Sequence, residues 1–245
     1  MLFFSKKKIP LKDLIPDHFI DIHSHLLPGI DDGSKTFEET LDLVQQLKQL
    51  GFSQFITTPH IIQHVWENTR EQIEAKHLET VQYLKSHACE VPLKVATEYF
   101  MDDHFNQLVQ ANNLLTLKDN YVLVEMSYIN APIQLYSILF DLQVAGYIPV
   151  LAHPERYLFY HNSIQEYHKL KKAGCRFQLN LLSVTGYYGK QVALIAEELL
   201  QLGLYDFAGS DVHHAKHVAS FEDKVQLKDL NPLKEIIKNN EFFAF

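Results

Sequence analysis

Short apolar runs rich in β-branched and aromatic residues alternate along the chain with longer segments whose apolar positions recur every three or four residues. The runs are 19–23, 54–58, 93–98, 121–125, 148–153, 176–180 and 206–211, seven candidate strands. Between them the spacing predicts helices. Thr36 followed by Glu39 reads as a capping box, Phe37, Leu41, Val44 and Leu47 form one apolar stripe, and Gly51 ends the segment. Further helices are expected near 69–88, 103–113, 132–145, 163–173 and 189–202, several closed by a glycine (Gly146, Gly174, Gly203). Near-continuous apolar strands separated by helices make a parallel sheet covered on both faces. A barrel and an open doubly wound sheet both fit this α/β pattern. No repeat and no Pro/Gly/Ser-rich linker divides it.

Composition narrows the class. The 245 residues are 47% hydrophobic and 21% charged, ordinary for a soluble globular protein, and no run approaches the roughly 18 apolar residues of a membrane span. A net charge of -8 argues against gripping nucleic acid by charge. Two cysteines, Cys89 and Cys175, without a CxxC pattern read as intracellular, so a cytoplasmic location is expected. The start, with Phe3 and Phe4 ahead of Lys6, Lys7 and Lys8, lacks the order of a secretory signal. A solvated end is expected there, with contact to an anionic membrane surface as the other reading. Phe242, Phe243 and Phe245 at the far end either dock a partner or seal the barrel.

The 14 histidines decide the chemistry. His23 and His25 end the first run, His60 follows the second, Glu98 ends the third and Glu125 the fourth. His153 ends the fifth, and Asp211 with His213 the seventh; the sixth alone ends in an uncharged residue, Asn180. In a parallel α/β barrel these ends share one face, where active sites lie. His23 and His25 are two apart, hence on one side of an extended segment, and Asp211 and His213 repeat the device. Asp32 sits in a turn between Gly29 and Gly33 that leads back to the strand mouth, with Asp31 as a turn cap. So many imidazoles and carboxylates exceed one tetrahedral zinc and suit two or three bridged divalent ions, manganese, iron or zinc. Three such ions against four carboxylates leave a residual positive charge of about two, matched to a phosphate dianion.

His18, His64, His77, His87, His104, His161, His168, His214 and His217 are expected on the solvated surface. Arg156, three residues past His153, is a candidate to hold phosphate oxygens; its structural role would be an ion pair with Glu155. Trp66 either stacks on an aryl substrate or packs a loop, and Tyr128, Tyr187 and Tyr188 read as rim or packing residues. Neither cysteine is followed six residues later by arginine, which removes cysteine-phosphatase chemistry, and no Gly-rich loop ends in Lys-Ser or Lys-Thr, which removes a P-loop.

Asp-Ile-His-Ser-His, Asp-Asp-Gly, Thr-Thr-Pro-His, Ala-Thr-Glu-Tyr, Leu-Val-Glu-Met, Ala-His-Pro-Glu-Arg and Gly-Ser-Asp-Val-His, in that order, resemble the PHP (polymerase and histidinol phosphatase) superfamily. Within it they look most like the bacterial tyrosine-protein phosphatases of capsular and exopolysaccharide clusters, from about residue 19 to 220. The resemblance implies a distorted (β/α)7 barrel of PHP type over 19–245, preceded by an N-terminal extension over 1–18 that the family pattern lacks. It implies a trinuclear, often manganese-containing, site. His23, His25, Glu98 and Asp211 would hold one ion, Glu98 would bridge to a second held also by Glu125 and His153, and Asp32, His60 and His213 would hold the third. Arg156 would assist phosphate binding and catalysis, and a metal-bound hydroxide would attack in line. The substrate implied is phosphotyrosine on a polysaccharide-assembly tyrosine kinase. A small-molecule phosphatase such as a histidinol phosphatase is the alternative with the same site; a regulatory module with structural metals and a nuclease are the readings outside it.

Overall fold

A computed structural model describes residues 8–245. Phe3, Phe4, Lys6 and Lys7 lie outside the described residues; Lys8 is exposed. Every named strand pairs parallel to its neighbours. β1 (Phe19–Asp21) is followed by α1 (Phe37–Gln49), and the second expected strand is split into β2 (Phe52–Thr57) and β3 (His60–Ile61). After α2 (Arg70–Ser86) the third is split likewise into β4 (Leu93–Val95) and β5 (Glu98–Phe100). Then come α3 (Asp103–Gln110), β6 (Tyr121–Glu125), α4 (Leu135–Val144), β7 (Ile148–Ala152), α5 (Ile164–Lys172), β8 (Arg176–Asn180), α6 (Lys190–Gln201) and β9 (Phe207–Gly209). Two short helices, α7 (Ala215–Ala219) and α8 (Asn231–Asn239), follow without having been expected.

The ladders run β1-β2-β4 and β3-β5-β6-β7-β8-β9. They are continuous across both splits, because Ala96 N–H donates to Thr57 O (2.9 Å) and Glu98 N–H to Pro59 O (3.2 Å). The last strand returns to the first at the upper rim. Asp211 N–H donates to His23 O (2.7 Å) and His25 N–H to Val212 O (2.9 Å), around a parallel bridge between Ser24 and Val212. Lower in that seam a side chain takes the place of a ladder. Asn240 Nδ2 donates to Ile20 O (2.9 Å) and Ala208 O (2.6 Å), while its Oδ1 accepts from Ala208 N–H (3.1 Å). The result is a distorted (β/α)7 barrel, with the side chain accounting for backbone groups that a regular ladder would have paired.

Alternation along the strands separates two cores. Val122 and Val124 of β6 pack outward with the helices, whereas Leu123 points inward with Ile20, Ile56, Ala96, Val150 and Phe207. Phe243 joins this inner cluster with no exposure and closes the floor, while Phe242 and Phe245 stay partly exposed. Sealing the barrel is therefore what the C-terminal aromatics do through Phe243. At α1 the buried face is Thr40, Leu43, Val44 and Leu47; Val44 and Leu47 were expected there, while Phe37 and Leu41 are only half-buried and Thr40 and Leu43 face the core instead. Thr36 does accept from Glu39 N–H, but the reciprocal capping box lies at Thr69 and Gln72, at the start of α2. Residues 9–11 run against 223–225 through Leu11 N–H to Asp223 O and Val225 N–H to Ile9 O (both 2.9 Å), and Leu11 is fully buried. Among the described residues no helix is long and apolar enough to cross a membrane.

Candidate metal centre

The inward file of residues explains where the polar side chains meet. Two residues beyond an inward apolar position lies the next inward one: Ala96 leads to Glu98, Leu123 to Glu125, and Phe207 through Gly209 to Asp211. Ile56 leads, four residues on, to His60. At the lower levels this file fills the barrel with hydrocarbon; at the upper rim it delivers ligand types. Two backbone turns complete the set. His153 and Asp211 sit at positive φ (36° and 51°), a conformation rare for side-chain-bearing residues, which turns the chain at the ends of β7 and β9.

All nine expected ligands come together. His23, His25, Glu98 and Asp211 offer donor atoms within 4.8 Å of one another; so do His25, Asp32, His60 and His213, and so do His60, Glu98 and Glu125. The partition expected for the first group is found unchanged. The others differ from the expected sets. His60, 3.1 Å from Glu125 through Nδ1, stands with Glu98 and Glu125 where His153 was expected, and His25 joins Asp32, His60 and His213. His153 lies outside the three groups, with its Nε2 3.1 Å from Glu98 Oε1. His23, His25, Glu98, Asp211 and His153 are buried, while Asp32 is half open to solvent.

Two partners absent from the expected set orient the first pair. Gln178 Oε1 accepts from His23 Nδ1 (2.8 Å) and Asp31 Oδ2 from His25 Nδ1 (2.9 Å), leaving both Nε2 atoms toward Glu98 and Asp211. Asp31 also accepts from Gly33 N–H and His60 N–H, so the turn cap expected of it is real but serves the histidines. A Cβ on Gly33 would collide with His25, and one on Gly209 would come within 2.6 Å of the His23 Cβ. These two glycines allow the backbone approach that brings the imidazoles in.

The electrostatics call for cations. Burial lowers the His23 pKa, but the carboxylates of Glu98 and Asp211 outweigh it and raise the imidazole to about 10. His60 is raised to about 9, again against burial, chiefly by Glu125. Glu98 and Asp211, which burial would raise, are held well below the carboxylate range, His23 being the first cause in each. The cluster thus balances its carboxylates with protons, and divalent ions can replace those protons. His153 Nδ1 is buried with no hydrogen-bond partner, and His60 Nδ1, though 3.1 Å from Glu125 Oε1, lacks the angle of a hydrogen bond to it. Unpartnered buried imidazole nitrogens and a mixed N/O donor set fit two or three bridged divalent ions.

Residues 19–222 match the family described as Capsular polysaccharide synthesis, CpsB/CapC. The chain belongs to the CpsB/CapC family. Tyrosine-protein phosphatase YwqE of Bacillus subtilis is 32% identical over 206 residues, 80% of this chain and 78% of its own length. Tyrosine-protein phosphatase CpsB of Streptococcus pneumoniae is 27% identical over 201 residues, 80% of this chain and 83% of its own. A chain from the crystal structures of YwqE and CpsB, described as unique metal-dependent tyrosine phosphatases, superposes with a TM-score of 0.77 at 26% identity, over 92% of this chain and 88% of that one. An amidohydrolase from Mycoplasma synoviae shares the fold alone, with a TM-score of 0.51 at 12% identity and 96% of each chain covered.

In this CpsB/CapC chain the ligand cluster opens into a cavity of about 520 Å³. Arg156 lines it and donates from Nη1 to Asp211 Oδ2 (2.8 Å). Glu155, the alternative partner, is instead fully buried and accepts from Ser183 Oγ, Tyr205 Oη and Asn180 N–H. Trp66 lines the mouth, and so do Tyr128 and Tyr188, in keeping with the rim reading of these two tyrosines. His217, expected on the surface, is buried: its Nδ1 accepts from His213 N–H (3.2 Å) and its ring lies 4.0 Å from that of His214. His64, by contrast, is exposed as expected. Only its place in the His-x-x-x-His pattern of 213–217 could have flagged His217.

Proposed function

We propose that this CpsB/CapC chain is a metal-dependent protein-tyrosine phosphatase that hydrolyses phosphotyrosine on a cytoplasmic polysaccharide-assembly tyrosine kinase. The observation that carries the reading is the junction of three overlapping N/O donor sets with the Arg156 guanidinium on one cavity wall. The nine residues His23, His25, Asp32, His60, Glu98, Glu125, His153, Asp211 and His213 would hold two or three divalent ions, manganese first, with iron or zinc compatible with the same donors. Bound there, such ions neutralise a phosphate dianion and lower the pKa of a water.

The chain's own groups do the rest. Arg156 donates to phosphate oxygens through the N–H groups that Asp211 does not occupy, and carries charge as the ester bond breaks. Gln178 and Asp31 fix which nitrogen of His23 and His25 faces the site. Tyr128, Trp66 and Ile129 give the mouth an aromatic and aliphatic wall suited to a phenyl ring. A tyrosyl group leaves as a phenolate of pKa about 10, so it needs far less protonic help than an alkoxide.

The test is phosphate release from a phosphotyrosine peptide and from histidinol phosphate, side by side, with Mn²⁺ and after chelation. Chelator-sensitive release with preference for the peptide is expected. Preference for histidinol phosphate would move the same site to small-molecule chemistry, and no release from either would leave the metals structural.

A further inference from the structure

The Arg156 guanidinium packs over two phenol rings. Its Cζ is 4.2 Å from the centroid of the Tyr188 ring and 4.8 Å from that of Tyr128. The rings come from different parts of the rim, Tyr128 from the loop after β6 and Tyr188 from the loop before α6. Each is fixed in turn. Tyr128 stacks on the His153 ring at 5.8 Å and 26°. The Tyr188 hydroxyl accepts from Asn180 Nδ2 (3.1 Å), and the same amide nitrogen donates to Asp211 Oδ2 (2.8 Å), the oxygen that also receives Arg156 Nη1. The uncharged Asn180 that breaks the ligand pattern at the strand ends thus ties ring, arginine and candidate ligand together.

A guanidinium carries five N–H donors in one plane. Two rings pack against the guanidinium and Nη1 is committed to Asp211, so the donors left for an anion are those that these contacts do not occupy. Arg156, Tyr128 and Tyr188 line the same cavity as the ligand cluster. Arginine is otherwise a long side chain with many rotamers, and an edge that wanders loses bidentate contact with a phosphate.

We propose that Tyr128 and Tyr188 are positioning residues whose rings hold the plane of Arg156, so that its free edge meets the phosphate of the substrate. The proposal rests on the phosphate-binding reading of Arg156 given above. What matters is the ring face, attracted to the cation by its quadrupole, rather than the hydroxyl. Phenylalanine should therefore replace either tyrosine, whereas leucine, similar in apolar bulk, should not.

The test uses the full manganese-loaded chain and two readouts: the affinity for inorganic phosphate by calorimetry, and kcat and KM for p-nitrophenyl phosphate. Tyr128→Leu and Tyr188→Leu are expected to weaken phosphate binding about tenfold, the scale of one cation–π contact in a partly dry site, with metal content unchanged. Tyr128→Phe and Tyr188→Phe should stay within about twofold of wild type on the same scale. On an Arg156→Ala background the leucine substitutions should cost no further affinity for inorganic phosphate, since the group they position is gone. Leucine variants that bind phosphate like wild type would overturn the proposal. So would a leucine loss that persists in full without Arg156, which would make the rings direct contacts of the ligand. Wild-type protein that binds phosphate but turns over no aryl phosphate would remove the phosphatase reading, and the binding series would still decide the clamp. Wild-type protein that binds no phosphate overturns the clamp whatever its turnover.

Discussion

The two ends of the barrel bury their side chains equally well and hold opposite chemistry there. At the mouth His23, His25, Glu98 and Asp211 are within a few per cent of full burial and keep their charges; at the floor Phe243 and Asn240 are as deeply buried and carry none. Burial disfavours charge at both ends. The mouth tolerates it because each charge faces an opposite one, with His23 between Glu98 (2.9 Å) and Asp211 (3.2 Å). Such a cluster contributes little net stability, because desolvation consumes most of the Coulomb gain. The floor, by contrast, buries an aromatic ring and bonds backbone groups of Ile20 and Ala208 through the Asn240 amide. Chemistry should therefore be lost by changes at the mouth that leave the fold standing, and stability by changes at the floor that leave the chemistry intact.

The largest effect should come from the mouth. Asp211→Asn keeps the shape and the contact surface of the residue but removes its charge, and His153→Ala removes an imidazole that bonds Glu98. Each is expected to lower turnover of an aryl phosphate by at least about 10²- to 10³-fold, while the far-ultraviolet circular dichroism stays that of a folded barrel. Normal turnover in both variants would show that the cluster is not the reaction centre.

Next in size are the floor variants. Phe243→Ala empties a fully buried site in the inner cluster and should cost about 3–5 kcal/mol, a fall in melting temperature of roughly 6–20 °C for a domain of this length. Asn240→Ala strips partners from Ile20 O, Ala208 O and Ala208 N–H, and should cost about 1–3 kcal/mol. In both, kcat measured on the folded protein should match wild type. A floor variant that melts normally but loses turnover would mean that the two ends are coupled through the barrel.

The same contrast explains what the sequence could and could not tell. Eight of the nine candidate ligands were legible because their residue types are costly inside a barrel and recur at or just past the ends of successive apolar runs; Asp32 was legible from its turn between Gly29 and Gly33, which leads back to the strand mouth. Arg156 was legible for a similar reason, lying beside His153 in a short motif. Gln178 and Asn180 were not, since an amide in a strand carries no signature until its neighbour across the barrel is known. Tyr128 and Tyr188 are 60 residues apart in sequence and meet only through Arg156. At the floor Phe243 was legible, as one of the C-terminal aromatics that either dock a partner or seal the barrel. Asn240 was hidden: it acts on β1 and β9 from a C-terminal turn with no strand or ligand pattern of its own. The splits at Thr58–Pro59 and Ala96–Thr97 follow from local breaks that hydrophobic periodicity passes over.

The smallest expected effect tests the contrast through a group that burial keeps neutral. Cys175 enters the lower end of β8, and burial pushes its thiol from the ordinary 9 up to about 12, with Asp206 adding to the rise and Lys171 opposing it. A raised pKa means that folding favours the protonated thiol. Its contribution is therefore complete below pH 9, where the unfolded thiol is also protonated, and is lost as the pH climbs from about 9 toward about 12. Stability should fall more steeply above pH 9 in wild type than in Cys175→Ala, by at most about 1.4 kcal/mol per pH unit. Between pH 6 and 8 the two should run parallel. Asp211→Asn, made at the other end, should keep the wild-type alkaline slope, because the mouth does not set the environment of Cys175. Superposable denaturation curves for wild type and Cys175→Ala at pH 10 would mean that water reaches the thiol, and that the lower end of the barrel is not the dry counterpart of its charged mouth.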